Sequence, residues 1–363
     1  MLFDEGKIIH DVYEIDRFIG EGAFAEVYRV KHKFLGRQAM KVFKSPSSSQ
    51  EEILEKLSEA IYLSRVSHPN IIHVFDAGII DTNIGPRGYF TMEYVAGGSL
   101  ANFWRSFGPE YVPIDNAVDI ICQVCMGLSV AHSEQPPIIH RDIKPHNLLV
   151  GYDKNGLLVR IADFGLAKKV NPLTLLASSK GTPEFKSPEC LSNIDSCATD
   201  VWAIGVTLYL MLTDRFPFPI ESRLDLTSGK CWKHEMVPAS RYNSRVDATL
   251  DAILARSLEI KPADRYPDSM ALLDALKEWE PSASKKVGKA KSNADEHKSA
   301  LGIVTKFAQT DAEVMVAEAL KLSKDVGKLM EAADLLEEAL KKAPNLRQKY
   351  EYQVKLWRSG KAG

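Results

Sequence analysis

The densest group of reactive side chains lies at residues 140–147, which read His-Arg-Asp-Ile-Lys-Pro-His-Asn. A second short motif, Asp-Phe-Gly, begins at residue 163. Amide and carboxylate oxygens are hard ligands that suit Mg²⁺, which keeps phosphates and waters as its other ligands. Asn147 and Asp163 are therefore candidate metal ligands, and Asp142 is left to accept a proton from a hydroxyl group.

The chain between the two motifs is predicted to be a β-hairpin that brings them together. Apolar runs on both sides flank an Asn-Gly pair at residues 155–156, which is a strong signal for a two-residue turn. Because a hairpin returns the chain to its starting point, Asp142, Asn147 and Asp163 can meet at one site. An Asp-rich loop that caps a helix is the competing structural interpretation.

Two features near the N-terminus are compatible with phosphate binding. Gly20 and Gly22 lie between predicted strands, where the missing Cβ lets backbone N–H groups approach a phosphate. A tight hairpin would need the same glycines for structural reasons alone, and the surrounding sequence fits neither a Walker A loop nor a dinucleotide fingerprint. Lys41 is flanked by apolar residues, so its ammonium group needs an anion unless it is a solvated edge residue.

Residue patterning predicts the elements that would carry these side chains. Segments rich in Val, Ile, Phe and Tyr indicate strands, and apolar residues at helical spacing indicate helices. The predicted elements are strands within 13–30 and 36–43, an amphipathic helix over 51–66 with Ile53, Leu57 and Ile61 on one face, a long helix over 114–132, and a buried helix over 201–212.

Together these motifs resemble the eukaryotic-like protein serine/threonine kinase family, and Ser187-Pro188-Glu189 adds a further family motif. The resemblance extends over about residues 12–279. It implies a bilobal α+β fold, with a small β-rich N-lobe over residues 12–94 and a large, mainly helical C-lobe over residues 95–280. It also implies that the chain uses ATP and Mg²⁺ to phosphorylate Ser and Thr hydroxyls of protein substrates.

The resemblance assigns a set of residues to the nucleotide. Two glycines would cover the phosphates, one lysine would bind the α and β phosphates, two hinge backbone groups would bind adenine, and three apolar side chains would enclose the ring. These are, in order, Gly20 and Gly22; Lys41; the Glu93 C=O and the Val95 N–H; and Val27, Ala39 and Leu149. Lys41 would pair with Glu59, which has the family's spacing from His68, although an acidic face exposed to solvent is the alternative interpretation.

The resemblance also assigns the catalytic residues. Asp142 would orient and deprotonate the substrate hydroxyl, and Lys144 would neutralise the γ-phosphate during transfer. Asn147 and Asp163 would hold Mg²⁺. Lysine at position 144 is typical of serine/threonine kinases rather than tyrosine kinases.

A further set of residues would support the catalytic loop, which is the segment of residues 140–147. Asp200 would accept hydrogen bonds from the loop backbone, and a simple helix-capping role would select the same residue. Glu189 and Arg265 would form a buried ion pair. His140 is expected to pack under Phe164 rather than to act as a base.

Regulation by phosphorylation is implied by Arg141, which precedes Asp142. In the family, an arginine at this position pairs with a phosphate on the activation segment. Thr174, Ser178 and Ser179 are the candidate sites, and Ser178 has the usual position. Phe185-Lys186 departs from the usual family residues and leaves peptide specificity open.

Composition limits the other classes of function. The chain has 363 residues with 46 Lys+Arg against 48 Asp+Glu, which disfavours binding to nucleic acid or to a membrane surface. The N-terminus lacks the pattern of a signal peptide, and the longest apolar run is too short to span a bilayer. We therefore expect a cytoplasmic protein without a membrane span, whose five cysteines form no disulfide framework.

The C-terminal part differs in composition from the rest of the chain. Residues 281–300 are predicted to be a flexible linker, and residues 301–358 a helical tail that partly resembles a tetratricopeptide repeat. Such a tail would dock on the kinase, self-associate or bind a protein partner. An ATP-binding pseudokinase that acts as a scaffold through this tail, and a small-molecule phosphotransferase, are the alternative functions.

Overall fold

Six antiparallel strands near the N-terminus form one sheet in the order β1-β2-β3-β4-β6-β5. The computed structural model describes residues 1–22, 24–47, 49–107, 111–153, 156–164, 183–192, 194–219, 225, 228–279, 315–323, 328–342, 346, 350, 353, 354 and 357. The strands are β1 (Ile8–Ile9), β2 (Tyr13–Glu21), β3 (Ala25–His32), β4 (Gly36–Phe43), β5 (Val74–Thr82) and β6 (Gly85–Glu93). The predicted strands are confirmed, and β1 adds a strand before the predicted start of the lobe.

The helical segment after β4 differs from the single helix predicted over 51–66. It is interrupted at Leu57, which separates α1 (Gln50–Lys56) from α2 (Ser58–Leu63). The interruption changes the buried face, because Ala60 and Leu63 are buried while Ile61 is 38% exposed. The prediction that Ile61 continues the buried stripe was therefore wrong.

The remaining part of the first unit is mainly helical. It contains α3 (Leu100–Arg105), α4 (Ile114–His132), α5 (Cys197–Thr213), α6 (Ala248–Ser257) and α7 (Ser269–Glu278), together with short 3-10 turns. All residues of α5 after Cys197 are buried, as the absence of polar periodicity predicted. A β-rich part is thus followed by a mainly helical part, and the α+β fold expected from the sequence is confirmed.

A separate two-stranded hairpin, β7 (Leu148–Asp153) and β8 (Gly156–Ile161), lies between the two motifs as predicted. Its position is fixed by the residues just before β5. The Ile72 N–H donates to the Ile161 C=O at 2.9 Å, and the Asn70 amide donates to the Val159 C=O at 2.9 Å. The end of β8 is therefore held next to the start of β5.

By length and composition alone, α4 could cross a membrane. However, 56% of its apolar window is buried against the rest of the protein. A core helix of a globular domain has the same properties, so this helix is weak support for a membrane span.

The chain divides into two units, Met1–Ser282 and Ala283–Gly363. The second unit contains α8 (Leu329–Lys342) and a helical stretch at 315–322. Its own apolar cluster includes Ala319, Leu336 and Trp357. The resemblance of this unit to a tetratricopeptide repeat stays a prediction, as do the predicted domain boundaries.

Candidate active site

The carboxylate of Asp142 is held on one of its two oxygens. The Lys144 ammonium donates to Oδ2 at 2.7 Å, and the Asn147 amide donates to the same oxygen at 2.9 Å and to the Asp142 C=O at 2.8 Å. Within the described part of the chain, no group donates a hydrogen bond to Oδ1, and the side chain is about one third exposed. Oδ1 is therefore the oxygen available to accept a proton.

The side chain of Asn147 is oriented by the same contacts. Because its amide nitrogen is used on Asp142, its carbonyl oxygen is left for another ligand. The backbone C=O of Asn147 accepts a hydrogen bond from the Ala162 N–H at 2.9 Å, which brings the residue before Asp163 against the catalytic loop. The hairpin thus brings the two motifs together, as the sequence predicted.

Lys41 and Asp163 form an ion pair with 2.7 Å between Nζ and Oδ1. Lys41 lies on β4 and is 3% exposed, so its charge needs this anionic surrounding. Burial raises the pKa of Asp163, but the nearby Lys41 charge and hydrogen bond outweigh it and leave the pKa below its usual range. The side chain of Glu59, the predicted partner of Lys41, lies outside the described atoms.

Asp200 supports the catalytic loop through hydrogen bonds to its backbone. Its carboxylate accepts hydrogen bonds from the His140 and Arg141 backbone N–H groups at 2.7 and 2.8 Å, and it lies 3.0 Å from the His132 Nε2. The suggestion that Asp200 also caps its helix was wrong, because Ser196 is the N-cap residue of α5. Asp200 instead faces the loop from the first turn of the helix.

The ring of His140 packs against Phe164, with 4.6 Å between centroids. Its Nε2 lies 3.0 Å from the Ala162 C=O, and the Asp142 N–H donates to its Nδ1 at 3.3 Å. Burial lowers the pKa of His140, so the ring is neutral, with both nitrogens used. These contacts match the structural role expected for this residue.

The residues expected around adenine lie at the junction of the sheet and the hairpin. Ala39 on β4 is buried, while Val27 on β3 and Leu149 on β7 are partly buried against the same core. The Glu93 side chain is held by Arg160, with 2.7 Å between Nε and Oε2. Among the described residues, no group accepts a hydrogen bond from the Val95 N–H, which leaves this donor for a ligand.

The Gly-rich turn leaves room beside its backbone. A Cβ added at Gly20 would meet nothing within 4 Å, and one at Gly22 would only approach the Ala25 O at 3.9 Å. Packing among the described residues therefore does not require glycine at either position. Space next to the backbone is what a bound phosphate needs, so the turn fits the expected nucleotide.

The protein ligands available for a metal ion are few. Across the described residues, no group of three or more His, Cys, Asp or Glu side chains could hold a metal ion. One carboxylate and one amide oxygen, from Asp163 and Asn147, suit Mg²⁺ that takes its other ligands from phosphates and water. The residues present therefore fit a metal that is bound together with a nucleotide.

Glu189 and Arg265 form the expected buried ion pair through two contacts, at 2.7 and 2.8 Å. The guanidinium also donates to the backbone C=O groups of Ala198, Glu259 and Ile260. This pair fixes the short turn that contains Glu189, Pro188–Ser192, to the helical part of the protein. Because both charges are buried, removing one would cost on the order of 3–5 kcal/mol.

The candidate phosphorylation sites Thr174, Ser178 and Ser179 lie outside the described residues. Arg141, expected to pair with a phosphate there, lies with its Nε 2.8 Å from Asp195 Oδ2. This nitrogen makes no aligned hydrogen bond, so the contact is an attraction between charges. Asp195 was not identified from the sequence, since no motif links it to Arg141.

A model of the protein kinase domain matches residues 13–354. A probable serine/threonine-protein kinase of Clostridium acetobutylicum is 32% identical over 276 residues, which cover 75% of this chain and 40% of that protein. The serine/threonine-protein kinase PrkC of Bacillus subtilis is 31% identical over 72% of this chain and 39% of its own length. The chain thus spans about 40% of the length of these relatives.

The fold is similar to solved structures as well. The kinase domain of PknI from Mycobacterium tuberculosis superposes with a TM-score of 0.56 at 25% identity, and the match covers 76% of this chain and 99% of that one. This similarity confirms the bilobal fold expected from the sequence.

Proposed function

Because the chain belongs to the protein kinase family, we propose that it transfers the γ-phosphoryl group of ATP to Ser and Thr hydroxyls of protein substrates. The observation that carries the proposal is the arrangement of Asp142, whose Oδ2 is fixed by Lys144 and Asn147 while Oδ1 stays available. A carboxylate with one oxygen that accepts no hydrogen bond from the described residues is suited to accept the proton of a hydroxyl nucleophile. The names of the curated relatives support Ser and Thr as the acceptors.

Catalysis of this reaction depends mainly on positioning and on nearby positive charge, because the transferred group carries negative charge on its oxygens. Lys41 is buried beside Asp163 and would bind the α and β phosphates. Lys144 lies at the catalytic carboxylate and would face the γ-phosphate. Mg²⁺, held by Asn147 and Asp163 together with the nucleotide, would neutralise phosphate charge.

Substrate binding would use the two halves of the site differently. The Val95 N–H and the apolar side chains of Val27, Ala39 and Leu149 would fix the adenine ring. Asp142 Oδ1 would then accept a hydrogen bond from the substrate hydroxyl. This hydrogen bond would orient the hydroxyl oxygen for in-line attack, and the Asp142 carboxylate would afterwards take the hydroxyl proton. Protein partners of the tail, self-association, a cytoplasmic location and phosphorylation at residues 174–179 stay predictions.

The test is transfer of radiolabel from γ-labelled ATP, with Mg²⁺, to a generic basic protein. Asp142→Asn removes the proton acceptor and is expected to lower the rate at least a hundredfold without loss of nucleotide binding. Lys41→Met is expected to lower both the rate and nucleotide affinity. Asp268→Asn is the matched control, because Asp268 only caps α7 and asparagine caps equally well.

Each alternative function has its own result in this assay. Nucleotide binding without transfer by the wild-type chain would favour the scaffold. Label that enters only small molecules would favour a small-molecule phosphotransferase. Transfer that survives Asp142→Asn unchanged would contradict the proposed mechanism.

A further inference from the structure

The residue before the catalytic Asp142 has a strained backbone. Arg141 has a φ of 67°, in the left-handed region that residues other than glycine rarely adopt. Such a conformation costs free energy and persists only where surrounding contacts hold it in place. The direction of the backbone from Arg141 to Asp142 therefore depends on the groups that hold Arg141 in this conformation.

Two of those groups bind the two polar backbone groups of Arg141. Asp200 accepts its N–H at 2.8 Å, and the Lys186 ammonium donates to its C=O at 2.6 Å. Asp200 already has an assigned role at the catalytic loop. Lys186 has none, and the sequence distinguished it only as a departure from the usual family residue.

Lys186 also approaches the catalytic carboxylate itself. Its Nζ lies 3.7 Å from Asp142 Oδ1, whereas Oδ2 already accepts hydrogen bonds from Lys144 and Asn147. The Lys186 side chain is only 16% exposed, so its charge is largely removed from water. A buried ammonium needs nearby oxygens, and Lys186 has two of them on consecutive residues of the catalytic loop.

We propose that Lys186 is a positioning residue for phosphoryl transfer, which holds the Arg141 carbonyl and the Asp142 carboxylate so that Oδ1 faces the incoming hydroxyl. This inference rests on the proposed function. In this role Lys186 acts through Asp142 rather than on the nucleotide or the transferred group. Lys186 and Lys144 would position different oxygens of the Asp142 carboxylate, since Lys186 lies near Oδ1 and Lys144 donates to Oδ2.

The test compares two substitutions at this position in the full-length chain. Lys186→Met removes the charge and the donor at similar length, and Lys186→Arg keeps both. Misplacing a reacting group lowers turnover strongly, so Lys186→Met is expected to lower kcat about tenfold or more, with the KM for ATP within about twofold. Lys186→Arg should recover most of the loss. Lys261→Met is the matched control, because Lys261 is exposed and its ammonium forms no hydrogen bond or ion pair with the described residues of the catalytic loop.

A double substitution separates positioning from general stabilisation. In an Asp142→Asn background there is no carboxylate to orient, so adding Lys186→Met should cause no further loss of rate. An unchanged kcat in Lys186→Met, or a loss that Lys186→Arg does not relieve and that follows the melting temperature, would overturn the inference. So would an effect confined to the KM for the protein substrate, which would make Lys186 a substrate contact.

Hydrogen exchange gives a readout that does not need activity. Loss of the Lys186 contact should speed amide exchange in residues 140–147 of Lys186→Met and leave exchange in α6 unchanged. Equal exchange in the two proteins would count against the inference even if the wild-type chain transferred no phosphate. Absence of transfer by the wild-type chain would instead contradict the proposed function.

Discussion

Asp200 connects the catalytic loop to the buried helix α5 through a carboxylate that is 1% exposed. Burial raises its pKa, but hydrogen bonds from His132 and from the His140 backbone, together with the nearby imidazoles, outweigh that effect and leave the pKa below its usual range. A carboxyl group with a depressed pKa in the folded state stabilises the protein when it is ionised. Asp200 therefore makes part of the stability of the protein depend on pH.

Replacing this carboxylate should give a stability loss that depends on pH. Asp200→Asn is expected to lower the free energy of unfolding by about 2–4 kcal/mol at pH 7, because charged hydrogen bonds are lost in a buried site. Unfolded Asp titrates near pH 3.9, so the contribution is fully present above about pH 5 and is lost as the pH falls through the folded-state pKa. Urea unfolding from pH 3 to 7 measures the difference between the two proteins.

The comparison needs a substitution of the same type without the loop contact. Asp268→Asn keeps its N-cap and should shift stability by no more than about 0.5 kcal/mol across this range. A constant difference between wild type and Asp200→Asn at every pH would show that ionisation of Asp200 contributes nothing to stability.

The sequence predicted the residues of this site whose types report their chemistry, but not those defined by distant contacts. Asp142, Asn147 and Asp163 lie in short motifs, so residue type and spacing were sufficient. Lys186 and Asp195 act on Arg141 across more than 40 positions of sequence, and no local pattern indicates such a pairing. Long-range partners of a charged side chain become visible only in the fold.

Helix α4 and the hairpin are the elements that bring the two catalytic motifs together. A glycine of α4 makes their close approach possible, since a Cβ added at Gly127 would lie 2.8 Å from Ile161 Cδ1 and 2.9 Å from the Asn70 O. The Ile161 side chain is fully buried, and the Asn70 carbonyl is held in place because it accepts the Ile161 N–H at 2.9 Å. An added methyl group would therefore push α4 away from the hairpin.

Gly127→Ala should therefore destabilise the protein although alanine favours helices. Overpacking costs about 1–3 kcal/mol, and the gain in helix propensity offsets about 0.5–1 kcal/mol of it. We expect a net loss of roughly 1–2 kcal/mol in urea unfolding. Ser129→Ala on the same helix, where the hydroxyl only bonds the Met126 C=O, should stay within about 0.5 kcal/mol. Gly127→Ala as stable as wild type would mean that the two elements separate freely.

Elements with strong local signals were predicted closely, and those with weak signals were not. The Asn-Gly turn and the apolar pattern of 114–132 gave the hairpin and α4 within a residue or two. The interruption at Leu57 and the two-residue strand β1 were missed, because a break in a helix and a very short strand leave no periodicity. β1 forms by pairing with β2, and Leu57 is buried at the point where the helix is interrupted.

At the scale of the whole molecule, the chain contains two units with separate apolar cores. All residues assigned to the candidate site lie within 1–282. The composition change after Trp279 predicted a change of structure there, and apolar residues at helical spacing, among them Ala332, Ala339 and Leu340, indicated part of the core of the second unit. Trp357, which is 1% exposed in that core, is the only tryptophan after residue 282.

Cutting the chain after Ser282 should leave a folded, active first unit. We expect this truncated protein to transfer phosphate to the generic basic protein with a kcat/KM within about threefold of the full chain, because its cores and site are complete. The complementary fragment 283–363 has an apolar cluster of its own but is small, so its stability should be only a few kcal/mol. Its single tryptophan makes this measurable, since Trp357 fluorescence should shift to the red in one urea transition. An emission that is already red-shifted without urea would show that the second unit does not fold alone, and a truncated first unit without activity would show that the site depends on residues beyond 282.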